Sequence, residues 1–214
     1  MIEAVIFDLD GVIVDTAHYH YIAWKRLASE FGITLTPQHN ELLKGVSRMR
    51  SLEIVLELGN IQLPEAEKEA LADKKNKWFI EYIESIRPEE IFTGVPAMLT
   101  NCRKQNLKVA LASSSKNAPR VIELLGVTNL FDAMVDGTMI THSKPDPEIF
   151  LLAAKKLSIA PHKCLVFEDA EAGVEAALAA GMKCVGVGSP EQLGKANFIV
   201  KKTADFDLNN LDKI

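Results

Sequence analysis

Two aspartates at the end of a short apolar run are the residues of this sequence best suited to chemistry. Asp8, Leu9, Asp10 and Gly11 directly follow the apolar residues 4–7, which we interpret as a buried strand. Side chains two residues apart in an extended segment point to the same side, so Asp8 and Asp10 can face one site. Carboxylates at this end of a buried strand suit a metal-assisted reaction better than they suit packing. The alternative is that Asp8 merely caps a turn.

Two further predicted strands also end in polar residues. Ser113 follows residues 108–112, and Glu168 and Asp169 follow residues 164–167. Because ligands bind at the carboxyl edge of an open parallel sheet, we expect these groups to converge with the first two aspartates. So many carboxylates would repel one another unless a hard divalent cation lay between them, and a site of few carboxylates and a phosphate is typical of Mg²⁺.

Lys144 is a candidate partner for these acids. It lies in a loop before a helix that we predict to open with Asp146 as its N-cap and Pro147 in its first turn. From this loop it could neutralise Asp8 and a bound phosphate. Its position alone favours the alternative, an ordinary exposed lysine.

The elements that must position these residues alternate between strand and helix from Gly94 onward. The predicted strands cover residues 108–112, 133–135, 164–167, 184–187 and 198–200, and the predicted helices cover residues 118–125, 146–157 and 172–180. This alternation predicts an α/β fold with a doubly wound parallel sheet that helices cover on both faces.

Residues 16–92 differ, because they show helical periodicity and no convincing strand. We predict a helical cap domain over residues 16–92, inserted into a core domain of residues 1–15 and 93–214.

Three residues of the predicted cap are candidates for ligand binding. Arg48 lies close to Gly45, a pairing that suits close approach to a second phosphate. Lys75 lies within an apolar stripe, where it either serves the site or extends its stem past the stripe to water. His20 lies near the first linker, and taken singly it favours a surface or hinge role.

The composition excludes several classes of protein. The 214 residues are 48% hydrophobic and 25% charged, with a net charge of −5, which is ordinary for a globular protein and argues against nucleic-acid binding. No apolar run could span a bilayer, no signal peptide is recognisable, and the three cysteines are scattered. We therefore expect a cytoplasmic protein with neither a nucleic-acid nor a membrane partner.

The core motifs resemble the haloacid dehalogenase superfamily of phosphotransferases. The resemblance rests on Asp8-Leu9-Asp10-Gly11-Val12, Ser113, Lys144 and Glu168-Asp169, which together span nearly the whole predicted sheet. It implies that Asp8 is a nucleophile that forms an aspartyl-phosphate and that Asp10 is a general acid and base. It further implies that Ser113 and Lys144 hold the phosphoryl oxygens. The implied metal is Mg²⁺, with Asp8, the main-chain carbonyl of Asp10, Glu168 and Asp169 as its ligands.

The cap motifs narrow the resemblance to members of the family that act on sugar phosphates. The implied substrate-binding residues are His20, Gly45, Val46, Ser47, Arg48, Lys75, Asn76, Ser113, Ser115, Lys116, Asn117 and Lys144. Among them, Arg48 and residues 115–117 would grip the phosphate remote from the nucleophile, while His20 and Lys75 would contact the sugar.

The resemblance implies a phosphomutase that interconverts beta-D-glucose 1-phosphate and glucose 6-phosphate. The reaction would pass through an aspartyl-phosphate and beta-glucose 1,6-bisphosphate. One alternative is a sugar-phosphate phosphatase that uses the same aspartates. A second is a non-catalytic sugar-phosphate-binding protein, which the intact Asp8, Asp10 and Lys144 disfavour. The expected partners are small-molecule sugar phosphates, and we expect a monomer because the cap must swing freely.

Overall fold

A six-stranded parallel sheet forms the centre of the molecule, for which a computed structural model describes residues 1–213. Its strands are β1 (Ala4–Phe7), β2 (Lys108–Ala112), β3 (Ala133–Val135), β4 (Cys164–Glu168), β5 (Lys183–Val187) and β6 (Phe198–Val200). The strand order is β3-β2-β1-β4-β5-β6, so the chain begins at the centre and winds outward to both sides. This confirms the predicted doubly wound α/β fold.

Helices cover both faces of the sheet, as the near-continuous apolar strands require. Alternate residues of β1 enter different cores: Val5 and Phe7 pack on one face, and Ala4 and Ile6 pack on the other. The helices that follow β1 and the inserted segment are α5 (Val95–Lys104), α6 (Ala118–Leu124), α7 (Glu148–Leu157), α8 (Glu171–Ala179) and α9 (Pro190–Leu193). None of the described helices is long and apolar enough to cross a membrane.

Four helices without a strand occupy residues 17–83 of the described chain. They are α1 (Ala17–Glu30), α2 (Pro37–Glu41), α3 (Arg48–Leu58) and α4 (Glu65–Ile83), and they enclose an apolar cluster of their own that includes Leu27, Leu52 and Val55. The two segments that join them to the sheet lie side by side. Phe92 donates its N–H to the Ile13 carbonyl at 2.9 Å.

Element boundaries match the predictions to within two residues, which is the usual uncertainty of helix and strand ends. The prediction that the helix opens at Asp146–Pro147 is wrong in its start, because α7 begins at Glu148. The Asp146 carboxylate nevertheless accepts the N–H of Glu148 at 2.9 Å, so it serves the first turn from just outside the helix.

Candidate active site

The carboxyl ends of β1 and β4 bring three carboxylates together. Phe7 pairs with Phe167 in the sheet, so Asp8 and Glu168 lie next to each other one position further on. Ligand atoms of Asp8, Glu168 and Asp169 all lie within 4.8 Å of one another. Backbone close to this cluster leaves room for it: a Cβ at Gly173 would come within 2.0 Å of the Glu168 carboxyl group.

Lys144 is buried against this cluster, which overturns the interpretation of an ordinary exposed lysine. Its Nζ donates to Asp8 Oδ1 at 2.6 Å and to Glu168 Oε2 at 2.8 Å, and its side chain is 0% exposed. Burial alone would lower the pKa of Lys144, but the Asp8 and Glu168 carboxylates outweigh burial and raise it. The lysine is therefore a cation held between two carboxylates.

Lys144 does not satisfy all three carboxylates of the cluster. Burial, followed by the neighbouring Asp8, raises the pKa of Glu168 and raises that of Asp169 to about 7. Glu168 Oε1 is buried and has no hydrogen-bond partner among the described residues. An orphaned carboxylate oxygen in an all-oxygen donor set fits a hard divalent cation. The fourth predicted ligand, the main-chain carbonyl of Asp10, stays a prediction, because the cluster of three comprises side-chain atoms only.

Asp10 has the properties of a group that exchanges a proton. It lines the same cavity as Asp8, and its Oδ1 is buried without a hydrogen-bond partner in the described chain. Burial, and then the nearby Asp8 and Asp169 carboxylates, raise the pKa of Asp10 well above its usual range. A carboxyl group whose pKa is raised in this way is suited to give a proton to a reacting oxygen and to take one back.

Side chains from α1, α3 and α4 form a second, basic wall of the cavity. Lys75 is 1% exposed, so its stem does not extend past the apolar stripe to water. Its Nζ lies 2.6 Å from His20 Nδ1, and both residues line the cavity, so His20 is not a surface histidine. Burial, followed by the Lys75 cation, lowers the pKa of His20, and burial followed by Arg48 lowers that of Lys75.

Most of the predicted site residues line this one cavity. From the predicted set, the wall contains Asp8, Asp10, His20, Gly45, Val46, Ser47, Arg48, Lys75, Ser113, Ser115, Lys116, Asn117 and Asp169. Lys144 and Glu168 lie behind the wall. Asn76 is not part of the wall either, and its Oδ1 accepts a hydrogen bond from Asn117 Nδ2 at 2.8 Å.

Arg48 remains available to a ligand. Among the described residues Arg48 forms one ion pair, with Asp73 at 3.5 Å. The Asp73 side chain is 75% exposed, so solvent screens the attraction. The neighbouring glycine loop is held against the sheet edge, because Ser114 Oγ donates to the Gly45 carbonyl at 3.0 Å.

Sequence reasoning missed several wall residues. They are Ala17, Trp24, Asn40, Leu43, Lys44, Ser51, Ser114, Gly137, Ile140, Thr141 and Ser143. The folding of α1, α2, α3 and the loops after β2 and β3 brings these residues to the cavity.

Fold and site together define a family of phosphoryl-transfer enzymes and related hydrolases. The model of the haloacid dehalogenase-like hydrolase family matches residues 5–187, and the chain belongs to this family. Membership implies a metal cofactor, and the carboxylate cluster is where such an ion fits.

Several relatives within the family are known by activity. Beta-phosphoglucomutase of Bacillus subtilis is 43% identical over 211 residues, which cover 98% of this chain and 93% of that protein. The crystal structure of beta-phosphoglucomutase from Clostridium difficile has a TM-score of 0.96 and 44% identity, and the match covers 100% of this chain and 96% of that one. A phosphorylated carbohydrates phosphatase of Thermotoga maritima is 35% identical over 85% of this chain and 82% of its own length.

Proposed function

We propose that this chain is a phosphomutase that interconverts beta-D-glucose 1-phosphate and glucose 6-phosphate. The observation that carries the proposal is a cavity with two unlike walls: Asp8, Asp10 and Ser113 lie on one side, and Arg48 and Lys75 lie on the other. Hydrolysis of a monoester needs only the first wall. A mutase must also hold the phosphate at the far end of the sugar, which an available arginine suits. The near full-length likeness to two proteins named beta-phosphoglucomutase supports the same reaction.

The two aspartates divide the chemistry. The Asp8 carboxylate attacks a phosphorus of beta-glucose 1,6-bisphosphate, so that an aspartyl-phosphate forms and the bond from phosphorus to the sugar oxygen breaks. Asp10 gives its proton to the leaving sugar oxygen. In the second half-reaction Asp10 takes the proton from the other sugar hydroxyl, which attacks the aspartyl-phosphate and frees Asp8. The raised pKa of Asp10 suits it to both tasks.

Other residues would stabilise the charge on the transferred group. Ser113 and Lys144 hold the phosphoryl oxygens, and Lys144 also fixes the position of the Asp8 carboxylate. Residues 115–117 and Arg48 would bind the distal phosphate, and His20 and Lys75 would bind the sugar. Closure of the helical domain, proposed over residues 16–92, would exclude water as a competing acceptor.

We infer that the metal is Mg²⁺. Asp8, Glu168 and Asp169 would hold it, together with the main-chain carbonyl of Asp10, and their oxygens are the ligands that this ion prefers. When bound, the ion neutralises negative charge on the transferred phosphoryl group. We further propose a monomeric, cytoplasmic enzyme.

The second candidate function is a sugar-phosphate phosphatase. It is favoured by the 35% identity to a protein named as a phosphatase of phosphorylated carbohydrates. The same Asp8 and Asp10 would serve both reactions, because the two differ only in whether water or a sugar hydroxyl accepts the phosphoryl group.

The lifetime of the aspartyl-phosphate separates the two functions. The enzyme is loaded with a labelled phosphoryl group from beta-glucose 1,6-bisphosphate, and the decay of phosphoenzyme is followed by rapid quench with and without added glucose 6-phosphate. A mutase should discharge slowly in water and rapidly to the sugar phosphate, and Asp10→Asn should slow both loading and discharge. If decay in water alone matches decay with sugar phosphate, the chain is a phosphatase.

A further inference from the structure

The ammonium group of Lys75 is buried among aromatic rings. Its Nζ lies 4.6 Å from the ring centroid of Trp24 and 4.9 Å from that of Phe79. No ion pair to Lys75 is found among the described residues, although it is 1% exposed. A lysine buried to this degree normally has a carboxylate partner. Here the two ring faces take the place of that partner.

Phe79 also holds the histidine that contacts this lysine. The His20 ring stacks on Phe79 with centroids 3.9 Å apart and planes 15° apart. The Lys75 Nζ lies 2.6 Å from His20 Nδ1. Because an ammonium group can only donate, the protonated lysine requires His20 Nδ1 to accept, which leaves the ring proton of neutral His20 on Nε2. A single buried ring therefore fixes the positions of both groups.

Aromatic rings and a carboxylate differ in how much of the positive charge of Lys75 remains available to an anionic ligand. A carboxylate beside Lys75 would cancel its charge and repel an approaching phosphate ester. The face of an aromatic ring attracts a cation without carrying a net charge, so Lys75 and Arg48 both keep their positive field directed at the cavity. The cost of burying an unpaired cation is met partly by the rings and recovered when an anionic ligand binds.

We propose that Trp24 and Phe79 are positioning residues that hold Lys75 and His20 ready for the sugar side of the substrate. The inference rests on the proposed sugar-phosphate substrate and assigns the affinity of that site to two apolar side chains of α1 and α4. Phe79 acts only through Lys75 and His20, whereas Trp24 also lines the cavity.

Binding of glucose 6-phosphate, measured by calorimetry on the metal-loaded enzyme, tests the proposal. Phe79→Leu and Trp24→Leu should each raise the dissociation constant about tenfold, and Trp24→Phe, which keeps a ring face, should restore most of the affinity. The matched control is Trp78→Leu. Trp78 lies on the same helix with Arg26 at 3.9 Å from its ring and Lys74 at 5.3 Å, but it is outside the cavity wall, so its loss should leave binding within twofold.

A variant that lacks Lys75 separates a positioning role of Phe79 from a role in packing alone. In a Lys75→Met background, Phe79→Leu should weaken binding much less than in the wild type, because only His20 is left for Phe79 to position. The proposal is overturned if Phe79→Leu weakens binding equally in both backgrounds, or if it leaves binding unchanged in the enzyme that keeps Lys75. If Phe79→Leu does not fold, the contrast between Trp24→Leu and Trp24→Phe decides the matter in the same two backgrounds.

A spectroscopic measurement keeps this test independent of the proposed activity. Nitrogen NMR of the His20 ring should show a neutral ring protonated at Nε2 in the wild-type enzyme, and Phe79→Leu should change that signature. An enzyme that shows the signature and its loss but does not interconvert the two sugar phosphates refutes the proposed function alone. A His20 ring protonated at Nδ1 in the wild-type enzyme refutes the positioning role.

Discussion

Replacing Lys144 with methionine removes the cation from the carboxylate cluster while keeping a long apolar side chain. At an effective dielectric constant of about 20, unit charges at such separations attract by roughly 6 kcal/mol per pair, and Lys144 makes two pairs, at 2.6 and 2.8 Å. Desolvation of the buried charges offsets most of this attraction, so removing one partner is expected to cost about 3–5 kcal/mol. The metal-free Lys144→Met protein should therefore lose that amount of unfolding free energy.

Urea unfolding in chelator and in millimolar Mg²⁺ measures this loss. A divalent ion supplies positive charge to the same carboxylates, so it should stabilise Lys144→Met more than it stabilises the wild type. If the variant folds only with metal, the dependence of its unfolding on added chelator gives the same comparison.

Lys44 provides the matched control. Its Nζ lies 3.9 Å from Asp169, and its side chain is 27% exposed, so Lys44→Met should cost less than about 1 kcal/mol. If metal-free Lys144→Met is as stable as Lys44→Met, Lys144 does not stabilise the carboxylate cluster. If Mg²⁺ stabilises the wild type and Lys144→Met equally, the metal does not bind at these carboxylates.

Three further predictions follow from the same site. Asp8→Asn should reduce mutase turnover at least about 1,000-fold and abolish the acid-stable phosphoenzyme, while the circular dichroism spectrum stays native. Substantial activity in the folded variant would mean that another residue receives the phosphoryl group. Arg48→Ala should lower kcat/KM of the mutase reaction about 100-fold, but it should lower kcat/KM for hydrolysis of a small phosphate ester by less than about threefold. Arg50→Ala is the control, because the Arg50 side chain is 45% exposed. Equal losses on both substrates would give Arg48 a structural role. Because the pKa of Asp169 is raised to about 7 in the metal-free protein, metal must displace its proton below that pH, so Mg²⁺ affinity should fall at least about tenfold from pH 6 to pH 5. The raised pKa of Glu168, a second proposed ligand, adds to this dependence. Calorimetry in buffers of different ionisation enthalpy should detect proton release, and affinity independent of pH would place the ion elsewhere.

Local patterns in the sequence were sufficient to predict the sheet and the acidic half of the site. Strands of four or five apolar residues that end at Asp8, Ser113 and Glu168 carry both the fold class and the position of the chemistry. The reason is general: in a parallel sheet, the residue after each strand must emerge at the same edge. The structure bears this out through the register that sets Phe7 against both Leu111 and Phe167.

The sequence by itself determined which elements form and where their polar ends meet, because strand and helix periods and turn residues act over a few positions. Only the tertiary structure decided which side chains become partners across long stretches of chain. Lys144 and Asp8 are 136 residues apart, and Lys75 and His20 are 55 apart. From sequence alone, the position of Lys144 favours an exposed lysine, and Lys75 is as compatible with a stem that reaches water as with a role in the site. Burial removes the water that would otherwise solvate the two lysines, so their protein partners determine their properties. Those partners are two carboxylates for Lys144 and two aromatic rings for Lys75.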